Sequence, residues 1–153
     1  MSLICEVGKT QLVKHGEVTC GDSVEIVRNP DETVVVLSDG LGSGVKASIL
    51  STLTSKIIST MLAAGLSIED CVATIAATLP VCSMRGVAYS TFTIIHLRQN
   101  QIAEIIQFDN PHAIMIRNDK NCDYPKQAMY VDGKTIYRSV IKLQENDIFV
   151  AMS

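Results

Sequence analysis

The stretch Val34-Val35-Val36-Leu37-Ser38-Asp39-Gly40-Leu41-Gly42-Ser43-Gly44-Val45-Lys46 constrains this chain more than any other. A β-branched and aliphatic run ends at an acid. Glycines follow at alternate positions, and a helical pattern begins at about Ser43. The reading is a buried strand that delivers one carboxylate to a tight turn at a helix N-terminus. Such a turn exposes backbone polar groups and suits a charged ligand.

Two ligand chemistries compete for it. Glycines opening a helix can cradle phosphate with free N–H groups. A Walker loop, however, needs Gly-Lys-Ser/Thr, and Gly44-Val45-Lys46-Ala47 breaks that pattern. The dinucleotide fingerprint fails too, because no glycine lies three residues after Gly42. An acid at the strand end would also repel phosphate. The same acid attracts a divalent cation, and the next peptide carbonyl can join it as a hard oxygen ligand. A metal therefore suits Asp39-Gly40 better, and a plain Asp-Gly turn without chemistry is the alternative.

An upstream acid strengthens the metal reading. Cys20-Gly21-Asp22-Ser23 precedes a strand expected over Val24–Arg28, which should pair with a strand over Glu32–Leu37. Gly21-Asp22, strand, turn, strand and Asp-Gly-Leu-Gly-Ser-Gly together resemble the stage II sporulation protein E type of serine/threonine phosphatase. That type is a bacterial branch of the PPM metal-dependent phosphatases. Downstream, Asp109-Asn110-Pro111-His112 is similar to the family's Gly-Asn-Pro-Pro turn. Ile148-Phe149-Val150-Ala151-Met152-Ser153 is similar to the strand before its second Asp-Gly.

The resemblance implies two stacked antiparallel sheets flanked by helices, with a binuclear metal site at one end. It implies that Asp22 and Asp39 supply carboxylates, that Gly40 supplies its carbonyl, and that two Mn²⁺ or Mg²⁺ ions activate the attacking water. No covalent phosphoenzyme is expected. The family's two further metal-binding acids would lie beyond Ser153. The chain is thus expected to be one phosphatase domain over residues 1–153, truncated at its C-terminus and inactive as written. Asp147 lies at the wrong end of the last strand to replace them and reads as a turn residue. Asp109 reads as structural, and Arg117 and Arg85 are weaker candidates for a place near a substrate phosphate.

Composition supports one well-buried domain: 153 residues, 47% of them hydrophobic. No apolar run reaches the ~20 residues that span a membrane, and no leader pattern opens the chain, which places it in the cytoplasm by default. A net charge of −3 with mixed signs, and no Trp, argues against nucleic acid. Cys5, Cys20, Cys71, Cys82 and Cys122 are scattered and read as reduced thiols. His15, His96 and His112 are scattered too, and no spacing favours a Cys–His nucleophilic pair.

The pattern along the chain is strands, two helices, then strands, which argues α+β with antiparallel sheets. One or two short strands are expected within residues 3–14, and a turn at His15-Gly16-Glu17. Helices are expected from Ser43 to Ala64, closed by Gly65, and from Ser67 to about Leu79. A loop over Val81–Gly86 comes next. Strands should follow over Ala88–Arg98, Gln101–Phe108, Ala113–Arg117, Met129–Val131, Thr135–Ser139, Val140–Leu143 and the last residues. Asn118–Lys126 reads as a loop, and Asp132-Gly133 as a turn. On the first helix, Ser48, Ser51, Thr52, Ser55 and Ser59 form a hydroxyl stripe with little charge. That stripe is either packed between layers or turned to a second copy or a regulatory domain. The latter is the expectation for Ser48, Thr52, Ser55 and Ser59.

The function expected is hydrolysis of phosphoserine or phosphothreonine on a protein, in bacterial signalling of the anti-sigma-factor-antagonist type. A catalytically incomplete domain that serves as a protein-interaction module is the alternative. A nucleotide-binding module is a third.

Overall fold

The computed structural model describes residues 3–13, 15–16, 18–40, 44–78, 90–131 and 133–153. The glycine turn at 41–43, the loop at 81–86 with Arg85 and Cys82, and Glu17 and Asp132 lie outside them. Among the described residues eleven elements are assigned: β1 (Asp22–Arg28), β2 (Glu32–Asp39), α1 (Gly44–Ala63), α2 (Ile68–Thr78), β3 (Thr91–Arg98), β4 (Ile102–Phe108), β5 (Ile114–Arg117), β6 (Lys120–Cys122), β7 (Gln127–Val131), β8 (Lys134–Lys142) and β9 (Ile148–Val150). They form an antiparallel six-stranded sheet, β1-β2-β3-β4-β8-β7, and a three-stranded sheet, β6-β5-β9. The fold is α+β with two antiparallel sheets and two helices, as expected.

Alternation along the central strands separates two cores. Val34, Val36, Phe92, Ile94, Ile106 and Ile136 face the helices, where they meet Ile58, Leu62, Val72 and Ile75. Ile95, Leu97, Ala103 and Ile105 face the small sheet and meet Ala113, Met115 and Tyr124. The order of layers is therefore helices, large sheet, small sheet. No described helix is long and apolar enough to cross a membrane.

Local chemistry explains the boundaries. In the β1–β2 turn, Asn29 Oδ1 accepts from the amides of Asp31 (3.1 Å) and Glu32 (2.8 Å). α1 ends where Gly65, at φ 87°, turns the chain left-handed. There the Leu66 amide donates to Met61 O and the Gly65 amide to Leu62 O, each at 3.0 Å, which closes a Schellman cap. Ser67 caps α2, with its hydroxyl accepting from the Asp70 amide at 3.1 Å. Cys71 is fully buried at the α1–α2 contact, and that burial pushes its thiol up to about 11.

Three expectations about strands need correction. Residues 3–13 form no strand and run as irregular chain, with Ile4 and Leu12 exposed. Leu3, Cys5 and Val7 are half-buried while Ile4 and Glu6 are exposed, so one side of the segment rests on the protein, yet it pairs with no described strand; Gln11 Nε2 donates to Asp22 O at 3.0 Å. The stretch over 118–126 is not all loop, because Lys120–Cys122 pairs with β5. Asn118 and Asp119, at φ 54° and 61°, make the positive-φ pair that a two-residue hairpin requires. The two strands expected at 135–143 are one continuous strand, β8.

The hydroxyl stripe of α1 is the larger correction. Ser51, Thr54, Ser55 and Ser59 are fully buried, and α1 lies on β1 and β2. Ser51, Ser55 and Ser59 donate back to the carbonyls of Ser48, Thr52 and Lys56 at 3.1–3.2 Å. Ser55 Oγ also lies 3.0 Å from Ser23 Oγ on β1. Small side chains let the helix approach the sheet closely, and the hydroxyls of Ser51, Ser55 and Ser59 are satisfied locally. Of the expected partner face, Ser55 and Ser59 lie, with Ser51, in the seam between helix and sheet, whereas Ser48 is half-buried and Thr52 exposed. Val45, Ile49 and Leu53 take the solvent side, each more than 40% exposed.

Far from the helices, Arg117 Nε and Nη2 grip Asp147 at 2.9 and 2.7 Å, and Arg117 also donates to Lys142 O at 3.0 Å. The Asp147 carboxylate further accepts from the Gln144 amide at 2.8 Å. Asp147 is the turn residue it was read as, and Arg117 is a structural clamp rather than a phosphate contact.

Two tests follow from this packing. Ser55→Glu should lower the melting temperature by more than about 5 °C without changing the mass in light scattering, because an unpaired buried carboxylate costs several kcal/mol. An unchanged melt with altered association would return the stripe to the surface. The second test concerns pH. The bonds from Arg117 hold the Asp147 carboxyl below its ordinary range. A depressed folded-state value makes its stabilisation complete above about pH 4 and lost as pH falls through the folded value. Asp147→Asn should therefore cost about 2 kcal/mol at pH 7, and the gap to wild type should close at low pH. A gap that stays constant from pH 7 to pH 2 would contradict the ion pair.

Candidate metal centre

β1 begins and β2 ends at one edge of the large sheet, and the ladder sets Asp22 directly opposite Asp39. One step further, the Gly40 amide donates to Gly21 O at 2.9 Å, so Gly21-Asp22 and Asp39-Gly40 lie side by side. The structure thus brings together the three residues singled out from the sequence. Like charges on facing positions of a ladder repel. A shared cation removes that repulsion, and carboxylates with a peptide carbonyl are the hard oxygen donors that Mg²⁺ or Mn²⁺ prefer. Among the described residues no group of three or more His, Cys, Asp or Glu gathers as a metal site. The donor set here is two acids and one backbone oxygen.

Gly40 is fixed by packing as well as by chemistry. A Cβ at this position would lie 2.0 Å from Ala47 O and 2.5 Å from Ala47 C, both backbone atoms. The strand end runs directly beneath the first turn of α1, and only glycine leaves that space. Any shift of the helix start must therefore move the Gly40 peptide, whose carbonyl is the candidate ligand.

The neighbours come from distant parts of the chain. Ser153 Oγ donates to Asp22 Oδ2 at 2.6 Å, so β9 leads into the same edge. On the other side, Thr91 is the ladder partner of Asp39. Thr91 Oγ1 donates to Asn110 Oδ1 at 2.5 Å, and Asn110 Nδ2 donates to Thr93 Oγ1 at 3.0 Å. Asn110 is buried and ties the Asp109–His112 turn to the strand that flanks Asp39. Reasoning from the sequence placed a turn here and missed this role. The signal was an amide within a turn whose two partners, Thr91 and Thr93, sit on one face of β3.

Other polar candidates lie elsewhere. His96 is buried near Glu32 at 3.7 Å toward the opposite end of the sheet, and burial lowers its pKa. Glu104 accepts from Arg98 and Arg138 in the same region. The described cysteines are all free thiols.

The architecture is shared with solved phosphatases. The PP2C phosphatase domain of SpoIIE from Bacillus subtilis, solved with a fragment of its regulatory domain, superposes with a TM-score of 0.74 at 21% identity. That alignment covers 92% of this chain and 43% of the other, so the chain spans less than half of that relative. RsbX in complex with magnesium matches with a TM-score of 0.68 at 21% identity, over 92% of this chain and 69% of the other. The RsbU and RsbW domains of Rv1364c from Mycobacterium tuberculosis match with a TM-score of 0.69 at 15% identity, over 90% and 40%. At such identities the likeness is one of fold. No curated protein matches the chain. The model of the stage II sporulation protein E (SpoIIE) family matches residues 29–153, most of the sequence, and this chain therefore belongs to that family.

Proposed function

We propose that the chain is part of a metal-dependent serine/threonine phosphoprotein phosphatase. The reading rests on one observation above all: Asp22 and Asp39 face each other on adjacent strands, beside the Gly40 peptide. Asp22, Asp39 and the Gly40 carbonyl would hold Mn²⁺ or Mg²⁺. When bound, two such ions lower the pKa of a water and neutralise the phosphoryl oxygens, which an otherwise extremely slow hydrolysis needs.

The chain's own residues do the rest. The β1–β2 ladder fixes the spacing of the two carboxylates, so their charge is arranged before any ligand arrives. Ala47, pressed over Gly40, fixes the carbonyl. Ser153 orients one oxygen of Asp22. The Thr91–Asn110–Thr93 bonds stiffen the strand beside Asp39. In this reading water, not Ser or Cys, attacks phosphorus, and the substrate is a phosphorylated regulator of the anti-sigma-factor-antagonist kind.

A second reading, that the domain also binds a regulatory partner, is favoured by α1. Val45, Ile49 and Leu53 recur at helical spacing and are 63%, 54% and 41% exposed. A second copy or a regulatory domain seated on this ridge would press on the helix start that packs over Gly40. The interface would then use the apolar ridge, not the hydroxyl stripe.

Asp39→Asn in the full-length gene product should abolish Mn²⁺-dependent release of phosphate from a phosphoserine protein, a loss of at least 100-fold, while circular dichroism stays unchanged. Unaltered turnover by a folded Asp39→Asn protein would sink the assignment.

A further inference from the structure

An open groove of about 400 Å³ lies beside the candidate metal centre, lined by Asp109, His112, Thr135 and Tyr137 among others. It shares the edge of the large sheet with the two acids. Asp39 pairs with Thr91 at the start of β3, and β4 ends beside it, with Phe108 opposite Phe92. Gln107 pairs with Tyr137 on the next strand, β8. The groove also opens on the small-sheet face, because Tyr137 is level with Gln107, whose side chain binds the Ala113 amide and Tyr124 there.

Its walls have a definite chemistry. Asp109 is exposed and no cation among the described residues pairs with it. Asp109 sits at φ 57°, and the buried Asn110 next to it holds the turn to Thr91 and Thr93. The His112 ring meets Tyr137 edge-on, with centroids 5.3 Å apart. The floor is already satisfied: Gln107 Oε1 accepts from the Ala113 amide at 2.6 Å, and its amide donates to Tyr124 Oη at 3.2 Å. What remains open is one carboxylate beside a phenol ring. A guanidinium fits that pair, since its fork matches a carboxylate and its plane stacks on an aromatic face.

We propose that this groove is a substrate subsite that takes an arginine side chain near the phosphorylated residue. The proposal rests on the phosphatase reading for its role, though not for its chemistry. β4 lies two strand spacings from β2, about 10 Å, and an extended peptide rises about 3.3 Å per residue. The arginine therefore stands about three residues from the phosphoserine.

Eight fluorescein-labelled peptides test this by anisotropy with Mn²⁺ present: serine or phosphoserine, each with arginine or alanine three residues away, on one side or the other. For one side, the arginine peptides should bind about fivefold or more tightly than the alanine peptides, phosphorylated or not. Asp109→Asn should bring that ratio to about one. Asn also accepts a left-handed φ, so the turn is kept, and an unchanged melting curve verifies it. Tyr137→Leu should weaken the preference in the same direction. Binding that follows the phosphate but ignores arginine would overturn the subsite and leave the phosphatase reading standing. Binding that follows arginine and Asp109 but ignores the phosphate would support the groove's chemistry and count against the phosphatase reading. An arginine preference that survives Asp109→Asn, or no binding of any peptide, would overturn the proposal.

Discussion

Asp22 and Asp39 stand opposite each other across the first two strands, where like charges repel. Their Cα positions are paired in register, and the Gly40 amide bonds to Gly21 O just beyond. A one-residue slip would remove the opposition and turn the whole β2 face inside out, taking Val34 and Val36 out of the helix-side core. The register that builds the core is thus the same register that confronts the acids. The placement of α1, the packing of Gly40 and the delivery of β9 to Asp22 all depend on it.

The seam between α1 and the sheet explains how that edge is kept compact. Ser51, Ser55 and Ser59 are small enough for close approach, and they satisfy their own hydroxyls on the preceding turn. A seam of larger apolar side chains would hold the helix further away, and the Gly40–Ala47 contact would open. Not every group in the seam is matched: the buried hydroxyls of Ser38 and Thr54 find no partner among the described residues. Each such group costs about 1–3 kcal/mol, so the seam is weaker than an apolar one of equal area. A helix held this way can transmit a load on its exposed ridge to the peptide at Asp39-Gly40.

Much of this was legible in the sequence because its signals were local. The β-branched run before Asp39, the Asn29 turn, the Gly65 stop and the Ser67 cap each name an element and its boundary. The two acids were legible through their flanking glycines. The face of α1 was not, because hydropathy ranks serine below leucine and takes no account of back-bonding that lets a hydroxyl be buried. Nor was the Asn110 clamp, since its partners lie 17 and 19 residues away and meet only when β3 and β4 pair. The short strand β6 escaped notice because its residues are polar, although Asn118-Asp119 carries the hairpin signal.

The central claim is that Asp22 and Asp39 act on one shared ligand set, not as two separate surface acids. A double-mutant cycle on Mn²⁺ affinity addresses it directly, with calorimetric titrations of wild type, Asp22→Asn, Asp39→Asn and the double variant, all verified as folded. The account predicts strong coupling: either single substitution should remove most of the affinity, and the second should add little, with an interaction energy of about 1 kcal/mol or more. Additive losses, or affinity that neither substitution alters, would contradict it.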